Sequence, residues 1–172
     1  DTVEQARAAL EVIDVDYAPL AVVDQAETAE QMSPLHGESN LLAREAFERG
    51  DTDAAFARCA VIVEHHYQTP RQMHAFMETE GGVAIPDNNG GVIFRVGCQS
   101  GHRDAEQLAD ILGLKPSQVT VEATPTGGAF GGKDELTIQP AAGILALQTG
   151  SPVLIHLDRF ESCRTGIKRH PV

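Results

Sequence analysis

Tryptophan is absent from the 172 residues, aromatic side chains make up only 5% of them, and methionine and cysteine occur three times each. Basic residues are scarce as well: 13 Lys and Arg stand against 25 Asp and Glu, giving a formal net charge of −12. That balance argues against a nucleic-acid partner, since proteins that bind a phosphate backbone carry basic stripes. No Lys/Arg cluster suits a membrane surface. The apolar runs extend over a few residues, far below the roughly 20 needed for a spanning helix, and no signal-peptide pattern opens the chain.

Cys59, Cys98 and Cys163 are odd in number and widely spaced, with no C-x2-C among them. This argues against iron–sulfur or zinc ligation within the chain and fits a reducing, cytoplasmic setting. What remains is ordinary for a globular protein, with 42% hydrophobic and 22% charged residues. It is enough for one domain with a real core, or one domain plus part of another. Asp1 at one end and Pro171-Val172 at the other read as cut ends, so a piece of a larger polypeptide is expected.

In order along the chain, Thr2 with Gln5 forms a capping box for a helix whose apolar face is Val3, Ala6, Leu10 and Ile13. Residues 24–39 are polar and read as a linker or surface excursion. Residues 40–50 have helical propensity by residue type but are short, with part of the stretch open to a strand in tertiary context, and Asp53 is placed to cap a short helix reaching Arg58. Residues 61–67 alternate as a strand would. Residues 82–85 and 91–97 read as a hairpin around Pro86-Asp87-Asn88-Asn89-Gly90. A helix over 103–114 ends at Gly113, a strand over 119–123 follows, then a helix over 136–147 and a strand over 153–157. The fold class expected is α+β, a mixed sheet with hairpins and packed helices.

The most unusual stretch is Thr126-Gly127-Gly128-Ala129-Phe130-Gly131-Gly132-Lys133-Asp134-Glu135, set between a strand and a helix. Glycines there permit positive φ and close approach of the main chain to a bound group. N–H donors exposed in such a loop cradle anionic oxygens. Gly127, Gly132 and Lys133 fit three positions of G-x-x-x-x-G-K-[ST], but Asp134 stands where a hydroxyl should hold Mg²⁺, and its carboxylate repels a triphosphate. A loop that merely turns the chain is the plain alternative.

Other candidates are thin when taken singly. His65, His66 and His74 lie near Glu64 and Glu78, yet on a strand His65 and His66 face opposite sides and do not share one ion. No serine lies in G-x-S-x-G. Arg159 and Glu161 read as a surface ion pair worth under about 1 kcal/mol, and Lys168-Arg169-His170 as a solvated basic face.

Taken together these residues resemble the molybdenum-cofactor-binding region of the xanthine dehydrogenase and aldehyde oxidase family. The likeness runs through Asn40-Leu41-Leu42-Ala43, Gly50-Asp51, Tyr67-Gln68-Thr69-Pro70, His74-Ala75-Phe76-Met77-Glu78 and Gln99. It continues through Gly113-Leu114, Gly127 to Lys133, Gly150-Ser151-Pro152-Val153, Leu157-Asp158-Arg159 to Glu161, and Lys168-Arg169-His170-Pro171. Order and spacing hold across nearly the whole chain. The resemblance implies that residues 1–24 end a preceding small α+β domain with its linker, and that 25–172 are the N-terminal part of a molybdopterin-binding domain.

It also implies a chemistry: hydroxylation of a purine-like N-heterocycle or an aldehyde with oxygen from water, the electrons passing to a molybdenum–molybdopterin cofactor. By position, Gln99 matches the glutamine that hydrogen-bonds an oxo ligand of the metal. Phe130 and Gly131, with Gly128, match loop residues whose backbone lies against the cofactor. Asp134 falls where xanthine-type members carry a substrate-facing glutamate, and Arg169 where they carry an arginine that stabilises charge building on the substrate. The resemblance therefore places the Phe130–Gly131 backbone, Gln99 and Arg169 around one cleft.

Ala129 replaces one glycine of the family's triple, and Asp134 is one methylene shorter than the glutamate, which leaves the choice between heterocycle and aldehyde open. The family's general-base glutamate, its iron–sulfur and FAD modules and much of its pterin surface are not recognisable here. They are expected in the rest of the large subunit and in electron-transfer domains or subunits, with which this piece would assemble. The isolated piece is expected to have no turnover.

Overall fold

The computed structural model describes residues 2–166 and 168–172. Internal contacts divide the chain into two compact units, residues 1–63 and 64–172.

In the first unit, helix α1 (Val3–Leu10) opens with the expected capping box: Thr2 Oγ1 accepts from Gln5 N, and Gln5 Oε1 accepts from Thr2 N. Two short helices follow, α2 (Ala26–Ala29) and α3 (Thr52–Phe56). Asp51, not Asp53, caps α3, its carboxylate accepting from Ala54 N at 2.8 Å. The helix expected over 40–50 does not form. Asn40 instead uses its side chain on the backbone, accepting from Leu35 N and donating to the carbonyls of Ala29 and Ser33. An asparagine satisfying loop groups in this way competes with the helix that residue type alone favours.

The second unit is built on a four-stranded mixed sheet in the order β3-β2-β1-β4. Strands β1 (Gly81–Pro86) and β2 (Val92–Val96) form the expected antiparallel hairpin. Its turn is fixed by Asp87, whose Oδ1 accepts from the N–H groups of Asn89 and Gly91 at 2.7 Å each. From β2 the chain crosses through α4 (Gly101–Leu112) to β3 (Val119–Ala123), which lies parallel to β2. Gly113, with φ of 67°, ends α4 in the left-handed conformation. After the glycine loop, α5 (Gln139–Thr149) leads to β4 (Val153–His156), antiparallel to β1. A last helix, α6 (Arg159–Arg164), closes the fold.

The core lies between the sheet and the two longer helices, where Val92, Phe94 and Val96 of β2 meet Leu108 and Ala109 of α4 and Ala142 and Ala146 of α5. Each large side chain buried here is worth about 1.5–3 kcal/mol. Gly143 lets α5 approach closely, since a Cβ there would stand 2.8 Å from Phe94 Cζ.

Three further expectations are corrected. Among the described residues, 61–67 pair with no strand, so the argument that alternation separates His65 from His66 does not apply. The helix expected from Leu136 begins at Gln139, because Gln139 Oε1 accepts from Thr137 N at 2.7 Å and Pro140 suits the first turn. Arg159 and Glu161 are not an ion pair. Glu161 completes a capping box with Asp158 at the start of α6, while Arg159 Nη2 donates to the Met77 carbonyl at 2.6 Å. Among the described residues no helix is long and apolar enough to cross a membrane.

Candidate functional site

The sheet delivers two segments to the same place. Residues 97–100 leave β2 and turn into α4, while residues 124–138 leave the neighbouring parallel β3 and form the glycine loop. Parallel neighbours end side by side, so the loop and Gln99 meet outside the carboxyl ends of their strands, where open α/β arrangements commonly bind ligands.

Gln99 holds the loop through three contacts. Its backbone N–H donates to the Lys133 carbonyl at 3.1 Å. Its side-chain Oε1 accepts from Gly131 N at 3.1 Å and from Lys133 N at 3.3 Å. With Oε1 occupied by two donors, the amide orientation is set, and Nε2 is left as the outward donor of an exposed side chain.

The loop itself is forced into an uncommon shape. Phe130 has φ of 57°, rare for a bulky residue, and Gly128 and Gly131 have φ of 102° and 88°. A Cβ on Gly132 would lie 2.7 Å from Phe76 Cε1 and 2.8 Å from His74 Nδ1, so only glycine lets the chain pass over these two rings. Four loop N–H groups are satisfied internally: Gly127 by Glu78 Oε2, Gly131 and Lys133 by Gln99, and Gly132 by the Ala129 carbonyl. Among the described residues the N–H groups of Gly128, Ala129 and Phe130 have no internal acceptor. The crest thus presents three successive amide donors beside the Gln99 carboxamide, a donor set that suits oxygen acceptors of a bound group. Gly131 differs from Gly128 and Phe130, because its own N–H is committed to Gln99.

Lys133 explains how the crest is supported. It is only 5% exposed, and its ammonium donates to Glu78 Oε1 and, at 3.1 Å, to the Gly128 carbonyl while lying 4.5 Å from the centre of the Phe76 ring. Hydrogen bonding to Lys133, ahead of all other causes, holds the Glu78 carboxyl below its ordinary range. A lysine turned inward and neutralised in this way does not reach a phosphate, so the nucleotide-loop reading fails on geometry as well as on Asp134. The loop is also more than a plain turn.

The remaining predicted residues fall on two sides. Asp134 and Glu135 share Arg103 of α4: Arg103 Nη2 donates to the Asp134 carbonyl at 2.6 Å and lies 3.4 Å from Asp134 Oδ2 and 3.1 Å from Glu135 Oε1. Arg169 is exposed, and its backbone forms a bridge with Gln72. Gln72 is two residues from His74, whose ring lies under Gly131 and Gly132. Among the described residues no hydrogen bond or ion pair joins Arg169 to Gln99, Phe130 or Asp134. Its neighbour Lys168 is not part of a solvated face; it is buried and donates to the Thr165 carbonyl.

Sequence reasoning missed the inward role of Lys133, its partner Glu78 and the Arg103 bridge. The ion-pair partners lie 55 residues apart for Lys133 and Glu78, and 31 and 32 apart for Arg103. No local spacing signals such pairs.

Comparison with known proteins identifies the family. The Molybdopterin cofactor-binding domain family matches residues 35–172. The chain is 47% identical over 174 residues to a probable xanthine dehydrogenase subunit of Bacillus subtilis, covering 100% of this chain and 23% of that protein. It is 38% identical to the nicotinate dehydrogenase large molybdopterin subunit of Eubacterium barkeri, covering 95% and 39%. In structure it is similar to the aldehyde oxidoreductase of Desulfovibrio desulfuricans, with a TM-score of 0.86 at 26% identity over 99% of this chain and 19% of that one. The chain thus spans well under half the length of the curated relatives described. The α+β sheet with its packed helices is the arrangement expected from the sequence, and the match takes in every residue of the glycine crest and its Gln99 brace. The chain belongs to the Molybdopterin cofactor-binding domain family.

Proposed function

We propose that this chain is the part of a molybdenum hydroxylase large subunit that seats the metal end of the molybdopterin cofactor. The whole enzyme would oxidise an N-heterocycle or an aldehyde in the cytoplasm and pass electrons to iron–sulfur and FAD centres on other domains or subunits. The free cysteines fit a reducing compartment. When bound, the cofactor supplies the two-electron redox chemistry that no side chain here provides.

The chain's own residues have separable tasks. Gly128, Ala129 and Phe130 offer backbone N–H groups at fixed positions, so no reorganisation is needed when oxygen acceptors arrive. Gln99 adds the Nε2 donor, and its two bonds to the loop keep that donor aimed. The Phe130 ring, 64% exposed, is placed to exclude water from one side of a bound group. Asp134, held near Arg103, is the acceptor offered to substrate N–H groups, and Arg169 is the cation offered to charge building on the substrate. The shorter Asp134 asks for a substrate that approaches closer than one read by a glutamate. The substrate-facing role belongs to Asp134 over Glu135, since Glu135 makes the closer contact with the guanidinium.

The observation that carries this reading is the pairing of Gln99 Oε1 with the N–H groups of Gly131 and Lys133, which fixes a donor beside the open crest. Gln99→Glu in the full-length enzyme tests it. Glutamate still accepts from both loop N–H groups but has no donor to offer. Turnover should fall by roughly tenfold to a thousandfold, the range for losing one aimed donor. Unchanged turnover with unchanged molybdenum content would remove Gln99 from the site.

A further inference from the structure

One short stretch of chain holds the second half of the glycine loop. Gln99, between β2 and α4, holds Gly131 and Lys133, while Arg103, in the first turn of α4, holds Asp134 and Glu135. The donor role of Gln99 accounts for the first support. The second has no task in seating the cofactor. A cation in the first turn of a helix opposes the helix dipole, so the position is unfavourable for α4 itself.

Every contact of Arg103 with the loop is made by one atom. Nη2 donates to the Asp134 carbonyl at 2.6 Å and to Glu135 Oε1 at 3.1 Å, and it lies 3.4 Å from Asp134 Oδ2. The buried Nε has no partner among the described residues. A single nitrogen thus fixes both the main chain and the carboxylate of Asp134. The Asp134 side chain is 45% exposed, and among the described residues its carboxylate accepts no hydrogen bond. Glu135 takes the closer share of the guanidinium, which leaves the Asp134 oxygens as acceptors that are held in place and still open.

A fixed, open acceptor selects for a donor. A heterocycle with a ring N–H supplies one, and an aldehyde group does not. We propose that Arg103 is a positioning residue that holds the Asp134 carboxylate against the ring N–H of a neutral heterocyclic substrate, and so sets a preference of the site for N–H heterocycles over aldehydes. This rests on the substrate-facing role of Asp134. Arg103 acts through Asp134 and does not itself meet the substrate. Because the hold passes through one nitrogen, a lysine ammonium can replace it, unlike at a site that needs the forked guanidinium.

The test uses the full-length enzyme, with hypoxanthine as the N–H heterocycle and benzaldehyde as a substrate lacking N–H. Arg103→Met keeps the apolar stem and removes the donor. It should lower kcat/KM for hypoxanthine by roughly tenfold to a hundredfold, since a shift of about 1 Å in a substrate-holding group costs on that order. For benzaldehyde, kcat/KM should stay within about threefold of the parent, and molybdenum content should be unchanged. Arg103→Lys should bring hypoxanthine back to within about fivefold of the parent. In an Asp134→Ala background, Arg103→Met should cost less than about threefold more, because a residue that acts through another loses its effect once that other is gone.

If Arg103→Met does not fold, Arg103→Gln, which removes the charge and shortens the reach, carries the same expectations. The positioning role is overturned if Arg103→Met leaves hypoxanthine turnover unchanged, if it lowers both substrates alike, if lysine gives no rescue, or if the two costs add in the double variant. A parent enzyme that oxidises benzaldehyde better than hypoxanthine, or does not oxidise hypoxanthine at all, overturns the substrate class. If Asp134→Ala itself has no effect on hypoxanthine, the substrate-facing role of Asp134 fails and takes this proposal with it. An effect of Asp134→Ala without one of Arg103→Met sinks the proposal alone.

Discussion

Replacing Lys133 with methionine asks how much of the glycine crest is held from below. Methionine keeps the apolar stem against Phe76 and removes only the ammonium. The Gly128 carbonyl then loses its donor, and Glu78 keeps only the Gly127 N–H. Hydrogen bonds to charged groups contribute about 1.5–3 kcal/mol each. Two effects reduce the sum: the Glu78 side chain remains 37% exposed and is resolvated when its partner goes, and a buried ammonium no longer has to be desolvated. A net loss of about 2 kcal/mol follows, or a fall in Tm of roughly 4–8 °C for a chain of this size.

Equilibrium urea unfolding followed by circular dichroism measures it, and a double-mutant cycle with Glu78→Gln should give a coupling of about 1–2 kcal/mol. The pH dependence supplies a second check. The Glu78 carboxyl is lowered on folding from an ordinary value of 4.5. A lowered carboxyl contributes stability that is present above the unfolded value and lost as pH falls through the folded one. The gap between the parent and Lys133→Met should therefore be full at pH 7 and close as pH drops below about 4.5. A gap under about 0.5 kcal/mol at pH 7, or one that persists unchanged at pH 3, would refute the inward pair.

Other substitutions probe neighbouring parts of the same argument. Gly132→Ala drives a Cβ into Phe76 and His74 and should destabilise by about 1–3 kcal/mol in the same unfolding assay. Phe130→Gly relieves a left-handed φ at an exposed residue, so stability should change by less than about 1 kcal/mol while turnover of the full enzyme drops. Asp158→Ala removes the cap of α6 and should cost about 1 kcal/mol, read as a lower urea midpoint with unchanged slope.

Much of the fold was legible because its signals are local. Thr2 with Gln5 caps α1, Asp87 with Gly91 closes the hairpin turn, and Gly113 ends α4, each within a few residues of its partner. The capping box of α6 was equally local, Asp158 with Glu161, and reading Glu161 as the partner of Arg159 hid it. What propensity misjudged lies where distant groups decide the backbone. Asn40 reaches back as far as Ala29 and replaces the helix expected over 40–50, and Val61 to Tyr67 found no partner strand among the described residues. At the site, the glycines announced a cradle, but its supports did not announce themselves. Lys133 fitted the lysine of a nucleotide loop by spacing, whereas its actual partner comes from the segment before β1. Resemblance placed Gln99 at the loop, and the hydrogen bonds show how it is held there.

The central claim is that the crest of Gly128, Ala129 and Phe130 and the Nε2 of Gln99 face the molybdenum end of the cofactor. An anomalous difference map at the molybdenum edge from crystals of the full-length holoenzyme tests this directly. A peak one ligand beyond hydrogen-bond distance (about 3 Å) of Gln99 Nε2 and the crest N–H groups is the predicted result. A peak seated elsewhere, with the crest amides open to solvent, would contradict it.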